Sequence, residues 1–145
     1  MILIKELDQN ELDLCYELDL DTISLWTKKQ WQGELSKKGV KVIAFFLRNE
    51  IIGVYVVQII IDEAHLNYFS IKQKFRKKGY GSKLMSYLIK ECKKSNIDKL
   101  LLEVSETNSV AEIFYCKFNF VTVGRRKNYY KNGADAVLKE KKIIN

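Results

Sequence analysis

The chain has 145 residues, 47% of them hydrophobic and 30% charged. That is the size and make-up of one globular domain, and it excludes a disordered, collagen-like or coiled-coil chain. The longest apolar run, residues 51–61 with Gln58 inside it, falls short of the roughly 20 residues a membrane-spanning helix needs. Residues 1–4 are too short for a signal-peptide core and lack a basic flank, so a cytoplasmic protein without membrane contact is expected. The 25 basic and 18 acidic residues leave a net charge of +7. Such an excess favours a polyanionic partner: nucleic acid, ribosome, membrane surface or phosphate-rich cofactor.

In chain order, residues 1–6 read as a strand. Residues 8–20 read as a helix, with Asp8 as its cap and Leu12, Cys15, Tyr16, Leu18 and Leu20 along an apolar stripe. Residues 24–35, carrying Trp26 and Trp31, predict a second helix. Residues 40–47 and 51–61 are rich in β-branched and aromatic side chains, with a hairpin turn at Arg48, Asn49 and Glu50. Residues 64–71 predict another strand. After a basic loop, Leu84, Met85, Leu88, Ile89 and Cys92 recur at helical spacing. Residues 100–104 read as a strand, 108–117 as a helix capped by Asn108 or Ser109, and 118–126 with 134–138 as a closing hairpin around Asn132 and Gly133. Proline and linkers are absent, so one mixed α/β domain over residues 1–145 is expected, with a largely antiparallel front half.

The basic loop is the first functional signal. Five of the seven residues 72–78 are basic, and Arg76, Lys77, Lys78, Gly79, Tyr80, Gly81 and Ser82 lead into the helix. A helix start offers unpaired N–H groups and partial positive charge, and glycine lets an anion approach closely, so the segment reads as a cradle for a pyrophosphate or as a solvated loop. Neither GxGxxG nor a P-loop is present. Cys15, Cys92 and Cys116 form no CxxC pair and His65 is the only histidine, which predicts free thiols and no metal centre. Cys116 has no base beside it in the sequence, so an acyl-cysteine route is not favoured.

The order Arg-x-x-Gly-x-Gly between a strand and an amphipathic helix resembles the acetyl-CoA signature of the GCN5-related N-acetyltransferases. Leu100 to Val104, Asn108, Tyr115, the Phe118-Asn119-Phe120 turn, Arg125 to Tyr130, and Asp135-Ala136 narrow the likeness to the ribosomal-protein alanine N-acetyltransferases within that family. The match runs from about residue 62 to 138. It implies an α+β domain with a mostly antiparallel sheet of six to seven strands and about four helices, acetyl-CoA as co-substrate without a metal, and a protein N-terminus, of a ribosomal protein, as partner. Direct nucleic-acid binding is not expected of it. Three departures stand out. Asn119 replaces the family's usual glycine, a position needing a left-handed backbone that Asn tolerates well. The loop at residues 72–75 lacks a common proline. The last strand turns polar at Lys139, Glu140, Lys141 and Lys142, which puts the sheet edge in question.

Acetyl transfer to an amine requires a base, a polarised thioester carbonyl and a proton for the departing thiolate. Glu103, ending an apolar strand, reads as a partly desolvated carboxylate or as a glutamate facing water or a lysine; the resemblance implies the general base. Tyr115 reads as core; the resemblance implies the general acid. Asn108 reads as a cap; the resemblance implies that it also meets the cofactor. The resemblance further implies that the backbone of Phe69, Ser70 and Ile71 binds the pantetheine arm. It also implies that residues 76–82 bind the pyrophosphate and that Tyr129 and Tyr130 hold the acceptor peptide. Arg125 and Arg126 are read as steadying an acidic partner or ribosomal RNA, or as solvated. Two alternatives are the same fold acting on a polyamine, amino acid, antibiotic or lysine, and a non-catalytic nucleic-acid-binding module.

Overall fold

In a computed structural model, residues 1–143 are described. They form one seven-stranded sheet in the order β1-β2-β3-β4-β5-β7-β6. The strands are β1 (Ile2–Glu6), β2 (Val40–Leu47), β3 (Glu50–Ile60), β4 (Glu63–Ile71), β5 (Lys99–Ser105), β6 (Val121–Arg126) and β7 (Ala136–Lys142). All neighbours are antiparallel except β4 and β5. Helices α1 (Leu12–Asp21) and α2 (Lys28–Ser36) precede β2; α3 (Tyr80–Lys94) and α4 (Ser109–Lys117) follow β4 and β5.

The sheet has helices on both faces and two cores. On one face Leu84, Met85, Leu88 and Cys92 of α3 meet Ile43, Tyr55, Leu100, Leu102 and Val104, with Phe114 and Tyr115 of α4 packed against them. On the other, Cys15, Leu18 and Trp31 of α1 and α2 meet Val42, Ala44, Val54, Val56 and Tyr68. The β2–β3 turn holds Arg48 and Asn49 both at positive φ (50° and 67°), as a two-residue turn matched to strand twist requires.

Three expectations change. Asp8 caps a single 3-10 turn, and α1 begins only at Leu12. The stripe of α1 buries Asp19 and leaves Leu20 exposed. The second helix begins at Lys28, not near residue 24, because Asp19 recruits the connecting backbone. Its carboxylate accepts from Leu25 N (2.9 Å), Trp26 N (2.9 Å), Trp31 Nε1 (3.0 Å) and Tyr68 OH (3.1 Å). Four donors satisfy a fully buried carboxylate without any cation. Thr27 and Gln30 then cap α2 reciprocally.

The polar last strand is no edge. β7 runs to Lys142 between β5 and β6. Lys139 is buried, and its ammonium reaches Thr122 Oγ1 at 3.0 Å and Glu112 Oε1 of α4 at 3.7 Å. The buried charge is therefore hydrogen-bonded and paired. Asn119 has φ +66°, the left-handed conformation expected after α4.

Candidate active site

A bulge opens the site. Val56 pairs with Tyr68 and Val57 with Leu66, so Asn67 is an extra residue in β4. The parallel pairing with β5 stops at the same place: Leu66–Leu102 is its last pair, although β4 continues to Ile71 and β5 to Ser105. Beyond Leu66 the two strands part, leaving the β5-facing backbone edge of Phe69, Ser70 and Ile71 without a strand partner. The bulge also flips the strand. Ala64 and Leu66 pack under α3, whereas Tyr68 packs under α1 and α2. A crevice at the carboxyl ends of parallel strands, with a helix start on each side, is a preferred ligand site.

One helix start belongs to α3. Lys77 (φ +61°) and Gly79 (φ +84°) turn the chain into the helix, which has no side-chain cap. A Cβ on Gly81 would lie 3.4 Å from Phe114 Cε1 and 3.7 Å from Ile71 Cγ1, so β4, α3 and α4 converge on this glycine. The basic cluster divides. Lys72 and Lys74 pair with Glu50 at 3.3 and 2.6 Å, and the hydrogen bond from Lys74 is the main reason the Glu50 carboxyl is held below its ordinary range. Arg76 donates through Nε to Ile71 O (2.9 Å) and so braces the end of β4. Lys77 and Lys78 remain exposed beside the uncapped turn that also contains Tyr80, Gly81 and Ser82. Unpaired N–H groups, a missing Cβ and two free ammonium groups fit a pyrophosphate there.

The other helix start, that of α4, is closed: Asn108 Oδ1 accepts from Ala111 N at 3.1 Å. Phe114 of this helix packs on Phe69 of β4, ring centroids 5.5 Å apart. Tyr115 sits between Phe114 and Phe120, each at 5.5 Å. Burial alone pushes its hydroxyl up to about 12. Cys116 on the same helix is exposed, whereas Cys15 and Cys92 are buried; all three are free.

Glu103 faces the other way. Leu100, Leu102 and Val104 enter the core beneath α3 and α4, so by strand alternation Glu103 lies on the face of α1 and α2. Of the two readings of its place at the strand end, the one that faces water holds. Glu103 is exposed, and its Oε1 accepts from Arg126 Nε at 3.1 Å. Arg126 also stands over the Tyr129 ring (5.8 Å), and Tyr129 meets Tyr130 edge-on at 5.1 Å. Burial first, then the Glu103 carboxylate, raises the Tyr130 hydroxyl above its ordinary value. The two tyrosines lie in the β6–β7 connection, outside either strand. Arg125 is held by Asp135 (3.4 Å) and Glu106 (3.8 Å). Both arginines are thus exposed but engaged in intramolecular ion pairs.

Sequence reasoning missed Asp19, the bulge at Asn67 and the pairing of Arg126 with Glu103. The Arg-Arg pair was a signal for the last; nothing in the residue pattern marked the other two.

An open helix start, a bulge-split pair of parallel strands and a carboxylate at the split define an acyltransferase fold. The family model for the acetyltransferase (GNAT) domain matches residues 16–142. The chain belongs to the GNAT family and is an N-acetyltransferase. It is 34% identical over 134 residues to the ribosomal protein bS18-alanine N-acetyltransferase of Haemophilus influenzae, covering 90% of this chain and 88% of the relative. Its fold superposes on the crystal structure of the ribosomal-protein-S18-alanine N-acetyltransferase from Escherichia coli with a TM-score of 0.93 at 23% identity, covering 100% and 96% of the two chains. The PaiA N-acetyltransferase of Thermoplasma acidophilum, solved in complex with coenzyme A, matches with a TM-score of 0.78 at 21% identity over 98% and 99%. Membership of the family sets aside the non-catalytic nucleic-acid module. Among the described residues no helix is long and apolar enough to cross a membrane, and no cluster of three or more metal-ligating side chains occurs.

Proposed function

We propose that this single-domain enzyme acts in the cytoplasm, transferring acetyl from acetyl-CoA to the α-amine of a protein N-terminus, that of an alanine-starting ribosomal protein. The observation that carries this reading is the placement of Glu103 and Tyr115 on opposite faces of the sheet, beside the strand gap. The name of the H. influenzae relative supports the choice of acceptor.

Acetyl-CoA supplies the activated acetyl group as a thioester. Residues 76–82 and Asn108 would bind its phosphates and arm, and the free edge of Phe69, Ser70 and Ile71 would hold the pantetheine and polarise the carbonyl. The acceptor would enter from the α1–α2 face, its backbone held by Tyr129 and Tyr130. Glu103 takes a proton from the amine, directly or through a water, as the amine attacks. Tyr115, protonated at every working pH because of its burial, gives a proton to the departing sulfur. An amine arriving from one face and a thioester from the other need no acyl-enzyme.

The test is product analysis by mass after incubation with acetyl-CoA and four acceptors: an alanine-starting peptide, the same peptide N-terminally blocked, a lysine peptide and spermidine. Acetyl on the free alanine α-amine alone is expected. Acetyl only on lysine or spermidine overturns the N-terminal reading and leaves the acetyltransferase intact.

A further inference from the structure

We propose that Arg126 is a specificity-determining residue that disfavours amines almost wholly protonated at working pH at the acceptor site. The inference rests on Glu103 being the base. The amine must reach the Glu103 carboxylate, and that carboxylate already holds the Arg126 guanidinium at 3.1 Å. Among the described residues Arg126 is the only cation within ion-pair distance of Glu103. Arg125 is committed to Asp135 and Glu106, the β7 residue opposite Glu103 is Leu138, and Tyr129 and Tyr130 supply neutral rings from the connecting loop. Arg126 is itself located twice, by β6 pairing of its backbone with Ala136 and by the Tyr129 ring under its guanidinium.

A fixed cation at the point of deprotonation acts on amines according to their charge. An α-amine has an ordinary pKa of about 7.7–8.0 and a lysine amine about 10.4, so near pH 8 roughly half of the first is neutral and less than about one hundredth of the second. A positive neighbour disfavours the charged form of either. The α-amine loses little, since its neutral form is already abundant. A lysine or a polyamine must bring its charge against the guanidinium or displace it from Glu103. Solvent screens the effect, because the Arg126 and Glu103 side chains are 56% and 35% exposed, so the discrimination is severalfold.

The experiment measures inhibition constants of spermidine and of an N-terminally blocked lysine peptide against acetylation of the alanine-starting peptide, in wild type, Arg126→Gln and Arg126→Lys. Both inhibition constants are expected to fall about two- to fivefold in Arg126→Gln, with the KM for acetyl-CoA unchanged and thermal melting reporting an intact fold. Arg126→Lys, which keeps the charge, is expected to match wild type within about twofold. Unchanged or raised inhibition constants in Arg126→Gln, or an Arg126→Lys that follows Arg126→Gln, would overturn the proposal and leave Arg126 as a brace for Glu103. A wild type that turns over only spermidine or the lysine peptide defeats the N-terminal reading instead. Arg126 is then read from the KM of that amine, which should fall in Arg126→Gln alone.

Discussion

The two faces of the sheet solve different problems. Beneath α3 and α4 the lining is apolar but for the paired Lys139, and what it offers a ligand is backbone: an uncapped helix start, a glycine and a free strand edge. Beneath α1 and α2, α2 carries a reciprocal cap, a carboxylate is buried among four donors, and the exposed candidate site is made of side chains, Glu103, Arg126, Tyr129 and Tyr130. In the proposed function, backbone donors serve a cofactor whose phosphates never vary. Side chains can be retuned for an acceptor. Substitution therefore informs on the second face by removing groups, and on the first mainly by adding bulk.

The comparison can be broken at four points. Glu103→Gln is expected to lower kcat by about 10²–10⁴-fold while acetyl-CoA affinity, measured by calorimetry, stays constant; activity near wild type across pH would remove the base from this face. Tyr115→Phe is expected to slow single-turnover transfer by about 10²-fold. Because the Tyr115 hydroxyl is raised to about 12, the wild-type pH profile should show no alkaline fall attributable to it below about pH 11; normal turnover with weakened acetyl-CoA binding would reduce it to a contact. Asp19→Asn sets an N–H against donors at one carboxylate position and is expected to cost about 1–3 kcal/mol in denaturant unfolding, again with acetyl-CoA affinity intact. Gly81→Leu, whose Cβ alone reaches Phe114 at 3.4 Å, is expected to weaken acetyl-CoA binding and to cost about 1–3 kcal/mol of stability by overpacking. Loss of stability without loss of affinity there would show the cradle to be elsewhere.

Much of this was legible in the residues. The 84–92 stripe places α3, the Arg48-Asn49 turn joins β2 to β3, and Asn119 takes the backbone a glycine would. These are local matters of periodicity and φ. What stayed hidden depends on distant neighbours. Asp19 looks like a surface acid until Trp31 and Tyr68 close on it. Lys139 looks like the fraying of a strand until Thr122 and Glu112 receive it. The water-facing reading of Glu103 holds, but its partner is Arg126 rather than a lysine, because an apolar strand says nothing about what crosses from β6.

The extra residue at Asn67 makes β4 two half-strands of opposite parity. Upstream, even-numbered side chains (Ala64, Leu66) fill one core; downstream, an even-numbered side chain (Tyr68) fills the other, and the odd-numbered Ile71 returns to the first. Deleting one residue there would do more than shorten the strand. It would remove the bulge and restore plain alternation from Leu66 to Tyr68, with each downstream side chain still on the face of its β3 partner. The bulge thus sets where β4 bends away from β5, while the two cores receive their side chains by ordinary pairing with β3.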